Sequence, residues 1–191
     1  MKSLSTKREM TLTPSPHIVG VTLCLLILIV ILFPSNIAAQ DKISQVLVAF
    51  LFNFIKLTQW NPEPASYTIG VFNKDARGIK ALATKQAKDK AITVNEISDV
   101  SGLKDCHIVF VPKDQFGKIA EIKDALTGKG SLIVGDLVEE GKSNEFLKGG
   151  GTVCFLIKNK KIRFGINLKV ATSAKLKINA KLVKVANNVI K

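Results

Sequence analysis

From Ile18 to Phe33 the chain reads IVGVTLCLLILIVILF, sixteen residues without a charge. No other feature restricts its fate as strongly, because such a run must be buried, inserted in a bilayer or cut away. Lys2, Lys7 and Arg8 precede it with Glu9 as the one acid, and Pro34-Ser35 breaks it before Asn36-Ile37-Ala38-Ala39. A basic start, an apolar core and a small-residue end form a secretory signal peptide. The run is shorter than the about 20 residues of a full span, so an uncleaved N-terminal anchor is the second reading. Leu23 directly before Cys24 disfavours a lipoprotein cleavage site. Residues 1–39 are therefore expected to be a leader, with a mature N-terminus near Gln40 and a body outside the cytoplasm.

Residues 40–191 contain no Ser/Gly/Pro-rich linker and no internal repeat. One domain of that length buries roughly 68–70% of its unfolded surface and folds without a disulfide or a metal. Gln40 to Gln59 carries apolar residues at three-and-four spacing, which predicts a helix capped by Asp41 and ended by Asn61-Pro62-Glu63-Pro64. Short apolar runs at Tyr67–Phe72, Ala91–Val94, His107–Pro112 and Ser131–Val134 read as strands. Helices are expected between them near Ala76–Gln86 and from Asp114 to about Leu126. A polar segment holding Glu139, Glu140, Lys142 and Asn144 and a flexible glycine run, Gly149–Gly151, follow. Thr152–Ile157 and Ile162–Ile166 form a hairpin around Lys158-Asn159-Lys160-Lys161. A last amphipathic helix near Asn179–Ile190 would bury Leu182, Val185, Ala186 and Val189. Strands alternating with helices predict an α/β fold. Its sheet is mainly parallel and flanked by helices on both faces, with a C-terminal hairpin and a terminal helix.

Chemistry is sparse. The only histidine after the leader is His107, so no His-rich metal site can form. Cys106 and His107 look like a nucleophile and base, but adjacent strand residues point to opposite faces. Asp136, Glu139 and Glu140 read as solvated loop acids. The glycine run precedes a strand, whereas a phosphate-cradling loop follows one and opens a helix. No catalytic residue, metal or cofactor is expected. Charge is more informative: the formal net charge is +13, and Lys158 to Lys191 holds ten basic residues and no Asp or Glu. Such a field attracts anions. Without an array of exposed aromatics on which bases could stack, nucleic acid is not an expected partner.

The motif AFLFNFIKLTQWNP (Ala49–Pro62) resembles the opening helix of the YfiR-like family through Phe50, Asn53, Phe54, Lys56, Trp60 and Pro62. DCHIVFVP (Asp105–Pro112) is similar to that family's central Cys-His strand. GGGTVCFLIKNKKIRFGINL (Gly149–Leu168) matches its glycines, hairpin and ending, and AKLKINAKLVKVA (Ala174–Ala186) its terminal helix. The resemblance implies a non-enzymatic periplasmic α/β domain, often a homodimer. It further implies a partner, the periplasmic domain of a membrane sensor, typically a diguanylate cyclase restrained to lower cyclic di-GMP. Family cysteines that pair with those of the strands would fall near Gly70 and ahead of Gly149. Neither position is cysteine here, so Cys106 and Cys154 are expected to be free and no disulfide is expected.

Two alternatives come from the residues themselves: a periplasmic receptor for a small anion or nucleotide, and a protein that lies on anionic lipid. The candidate anion-binding residues are Arg163, Lys177, Asn179 and Lys181, where the hairpin should meet the last helix. Asn179 would cap that helix, and a helix N-terminus favours an anionic guest. Asn53 and Trp60, two turns apart on the opening helix, are expected to be structural, Asn53 by satisfying neighbouring backbone and Trp60 by covering the core's end.

Overall fold

Alternation of buried side chains along four central strands divides the molecule into two cores. The computed structural model describes residues 37–191, with side chains from Lys42 onward. The expected leader and its cleavage site near Gln40 lie outside the described side chains. Chain order begins with α1 (Ile37–Leu57), β1 (Thr58–Gln59), β2 (Tyr67–Phe72), β3 (Gln86–Ala87), β4 (Lys90–Ile97) and β5 (Ile108–Val111). It continues with α2 (Ile119–Ala125), β6 (Leu132–Glu139), α3 (Glu140–Gly149), β7 (Val153–Lys158) and β8 (Lys161–Asn167). The chain closes with α4 (Leu168–Ser173), β9 (Lys177–Ile178), α5 (Ala180–Val185) and β10 (Asn188–Ile190).

The main sheet has eight strands in the order β10-β8-β7-β6-β5-β2-β4-β3. Its centre is parallel: β2 pairs with β4 and β5, β5 with β6, and β6 with β7. The β7–β8 hairpin and the short β3–β4 pair are antiparallel, and β10 runs parallel to β8. Asn159 and Lys160 form the hairpin's two-residue turn with φ of 51° and 58°. Two positive φ values give the turn a twist that matches the strands it joins.

Ile108 and Phe110 of β5 face one core with Tyr67, Ile69, Val134 and Phe155. Val109 and Val111, pointing the other way, face a second core with Cys106, Ile133 and Cys154. Helix α1 covers the first core by burying Leu47, Leu51, Phe54 and Ile55, each worth about 1.5–3 kcal/mol of transfer free energy. Helices α2 and α3 cover the second through Ile122, Phe146 and Leu147. The expected α/β sheet with helices on both faces is the one observed.

Several local expectations change. Helix α1 starts before Gln40, so Asp41 stands inside it rather than capping it. It stops at Leu57, because Thr58 and Gln59 pair with β9 instead. Asn53 and Trp60 therefore do not share a helical face, and Asn53 stands exposed rather than satisfying neighbouring backbone. Residues Ile79–Thr84 form only a 3-10 helix, entered through Gly78 at φ 67°. Asp114 likewise lies in the first turn of a 3-10 helix (Lys113–Lys118) that precedes α2 and is not its cap. The polar segment after β6 is helix α3, whose narrow buried stripe is Ser143, Phe146 and Leu147. The glycine run is packed rather than flexible: a Cβ at Gly151 would collide with the Phe146 ring. The final helix ends at Val185, 60% exposed, and the chain then adds β10 to the sheet edge. Backbone pairing with β8 replaces the expected helical stripe beyond Leu182. Among the described residues, no helix is long and apolar enough to cross a membrane.

Candidate functional site

The C-terminal end of α1 meets the chain's last third through a two-stranded ribbon. Thr58 pairs with Ile178 and Gln59 with Lys177 in antiparallel register. The Asn179 amide extends the pairing by donating to the Leu57 carbonyl at 2.9 Å. Because neighbouring residues in a strand alternate, Thr58 and Ile178 are buried while Gln59 and Lys177 face outward. Beside this ribbon opens a groove of about 750 Å³. Its aliphatic floor includes Leu57, Ile178 and Val183, and Lys56, Lys88, Lys177 and Lys184 converge on it with no carboxylate among its lining residues.

Lys88 is already engaged. Its ammonium donates to the Thr58 carbonyl at 2.7 Å and to Glu63 Oε1 at 2.9 Å. It also lies over the Trp60 and Tyr67 rings, 5.3 Å and 5.9 Å from their centroids. Tyr67 donates its hydroxyl to Glu63, and the Trp60 amide donates to Glu63 Oε2 at 3.3 Å. Burial pushes the Glu63 carboxyl up, but the donors Tyr67, Lys88 and the Trp60 amide outweigh it and hold the group below its ordinary value. Burial and the Glu63 carboxylate together push the Tyr67 phenol well above its ordinary value. This cluster ties the loop after β1 to the β3–β4 turn and walls one end of the groove.

The four candidate residues are divided by the structure. Lys177 and Asn179 line the groove. Asn179 caps α5, its Oδ1 accepting from the Lys181 amide at 2.9 Å, so that oxygen is committed to the helix. Lys181 is exposed on α5 but does not line the groove. Arg163 lies elsewhere, in a trough of about 430 Å³ with Lys158, Lys161 and Val185. Helix α5 has six residues, too few for a substantial dipole, and the positive charge at the groove comes from lysines of several segments. Lys56, Lys88 and Lys184 were missed by sequence reasoning. Lys56 sits inside the motif that suggested the family, and its charge on an otherwise apolar helix end was the available signal. Lys88 carried none.

Other groups with chemical potential are committed to packing. Cys106 and His107 do face opposite ways: Cys106 belongs to the second core, while His107 lies edge-on to Tyr67. His107 Nδ1 accepts from the Thr68 amide at 3.1 Å, and burial pushes the imidazole below its ordinary value. Asp136, expected to be a solvated loop acid, is buried and paired with Arg77, whose Nε and Nη2 donate at 2.8 Å and 3.2 Å. Trp60 is buried, its ring tilted 59° against Tyr67 at 5.3 Å between centroids. Cys106 and Cys154 are unbridged and buried. Among the described residues, no group of His, Cys, Asp and Glu could hold a metal ion.

Comparison with known proteins agrees with this architecture. An ABC domain in complex with L-Trp from Streptococcus pneumonia superposes with a TM-score of 0.53 at 14% identity, over 73% of this chain and 59% of that one. A conserved domain protein from Vibrio cholerae O1 biovar eltor does so with a TM-score of 0.55 at 10% identity, over 77% of this chain and 60% of that one. The chain thus spans less than two thirds of either protein, and at such identities the likeness is one of fold. No curated protein matches the chain. Residues 44–187, from within α1 to the residue before β10, match the family described as YfiR/HmsC-like, and the chain belongs to that family.

Proposed function

We propose that this protein is a non-enzymatic periplasmic regulator that binds the outer domain of a membrane signalling protein. By family likeness that partner is a diguanylate cyclase, which the regulator restrains. The observation that carries this reading is the family match over residues 44–187. It is supported by the leader pattern of residues 1–39 and by the commitment of Cys106, His107 and Asp136 to packing and ion pairing rather than to an open site. Deleting the gene should raise cellular cyclic di-GMP, and the purified chain should capture the cyclase's outer domain. Unchanged cyclic di-GMP together with no capture of any membrane sensor domain would overturn the reading. Homodimerisation is part of the same proposal, with sedimentation of the purified chain as its test.

A second reading, a periplasmic receptor for a small anion or nucleotide, is favoured by the groove. Four lysines and no carboxylate line it; Lys88 is paired with Glu63, which leaves Lys56, Lys177 and Lys184 to attract an anion. A melting temperature that rises with added nucleotide or phosphate ester at low salt would support it, since a ligand that binds only the folded state stabilises that state.

A further inference from the structure

We propose that the groove beside the β1–β9 ribbon takes a single-chain anionic amphiphile, a carboxylate or phosphate head on an aliphatic body. This inference rests on the anion-receptor reading and narrows its ligand class. The floor is aliphatic, with Leu57 and Val183 half-buried and Ile178 9% exposed. The rim is cationic: among the described residues, Lys56, Lys177 and Lys184 take part in no ion pair. A hydrophilic anion would satisfy the rim and leave the floor wet. A neutral lipid would cover the floor and leave the cations without a counter-charge, so only a molecule with both parts matches both surfaces. Size agrees, because about 750 Å³ lies within the range of roughly 300–1,000 Å³ for small-molecule sites and far exceeds one phosphate.

The site is also built rather than incidental. Its walls come from the end of α1, the β3–β4 turn, α4 and the β9–α5 segment, joined by the Asn179–Leu57 and Lys88–Thr58 hydrogen bonds. The head group belongs between Lys177 and Lys184, which are not engaged elsewhere. Lys88, held by Glu63 and Thr58, closes one end.

The test is calorimetric titration of the purified chain at low salt with decanoate and decyl phosphate below their micelle concentrations. Decanol, inorganic phosphate, a nucleotide and anionic phospholipid vesicles complete the set. Decanoate and decyl phosphate should each bind in one equivalent, with decanol and inorganic phosphate clearly weaker. Lys177→Glu with Lys184→Glu should weaken both amphiphiles by about tenfold or more, the factor expected from losing two exposed ion pairs. Lys161→Glu with Arg163→Glu, in the separate trough, should change nothing. The milder pair Lys177→Gln and Lys184→Gln replaces the reversal if circular dichroism shows the latter unfolded. A nucleotide or inorganic phosphate binding as tightly as decyl phosphate would overturn the amphiphile and leave the anion receptor standing. If no anion binds, both fall. Binding to vesicles alone would identify surface adsorption and overturn the proposal, as would unchanged affinity in the groove variants.

Discussion

Gly70 of β2 lies directly against the thiol of Cys106: a Cβ built at position 70 would sit 2.6 Å from Sγ and 3.4 Å from Cβ of that cysteine. The second distance is at the short edge of the roughly 3.5–4.5 Å that disulfides span between Cβ atoms. The family resemblance places a pairing cysteine near this glycine, and the packing gives that placement a physical basis. Gly70→Cys is therefore expected to bridge to Cys106 on oxidation. Mass spectrometry should find the loss of two hydrogens and, among the described cysteines, only Cys154 labelled after denaturation. Reduced, the same variant should be less stable than the parent by about 1–3 kcal/mol, the usual cost of overpacking a filled core.

The native thiols should be inert. Burial pushes Cys106 up to about 11, with Asp105 adding to it, and burial pushes Cys154 up to about 12. Thiolate is the reactive form, so alkylation at pH 8 should be negligible in the folded protein and complete at both cysteines once it is denatured. Rapid labelling of the native chain would show that one core opens locally.

Trp60→Ala should cost about 3–5 kcal/mol, as truncation of a large buried aromatic does, because it also removes the ring that packs against Tyr67 and lies under the Lys88 ammonium. Asn53→Ala should stay within about 0.5 kcal/mol, since Asn53 is exposed and no special mechanism applies. Denaturant titration of both variants checks the contrast.

Arg77→Ala should destabilise by about 3–5 kcal/mol, since it leaves the Asp136 carboxylate buried without its partner. The pair joins the segment after β2 to β6, with side chains 12% and 6% exposed. Arg77→Ala combined with Asp136→Ala should recover much of that loss, because what costs most is the unpaired charge. Thermal melting of the single and double variants decides it.

Glu63 should contribute to acid sensitivity. Its carboxyl is held below the ordinary 4.5 in the fold, so its contribution is present above that pH and fades as pH falls through the folded-state value. Glu63→Gln should lower stability at neutral pH by less than about 1 kcal/mol, since its side chain is 34% exposed, and should flatten the loss of stability below about pH 4.5. Melting temperatures measured across the acid range test both parts.

The parallel strands were legible because their apolar runs are short and bounded by turns, and the hairpin because Lys158–Lys161 is charged between two apolar runs. Helix α3 was not legible, since Phe146 and Leu147 are nearly its only apolar residues and glycines flank them. Nor was β10: Val185 and Val189 stand four apart as on a helix, yet the free edge of β8 offered backbone partners that local pattern does not encode. The groove was half legible. Lys177 and Asn179 were identified, but Lys56 and Lys88 lie far from them in sequence, and Arg163 was grouped with them although the hairpin carries it elsewhere.

By itself the sequence determined the α/β class, the family and the basic character of residues 158–191, because hydrophobic period, motif order and charge can all be read along the chain. Tertiary structure alone decided that Thr58–Gln59 pairs with Lys177–Ile178, that Asp136 is neutralised by Arg77, and that Gly70 is the space occupied by the Cys106 thiol. Each is a contact between residues distant in sequence, fixed only when burial of the two cores brings the segments together, and no local periodicity records it.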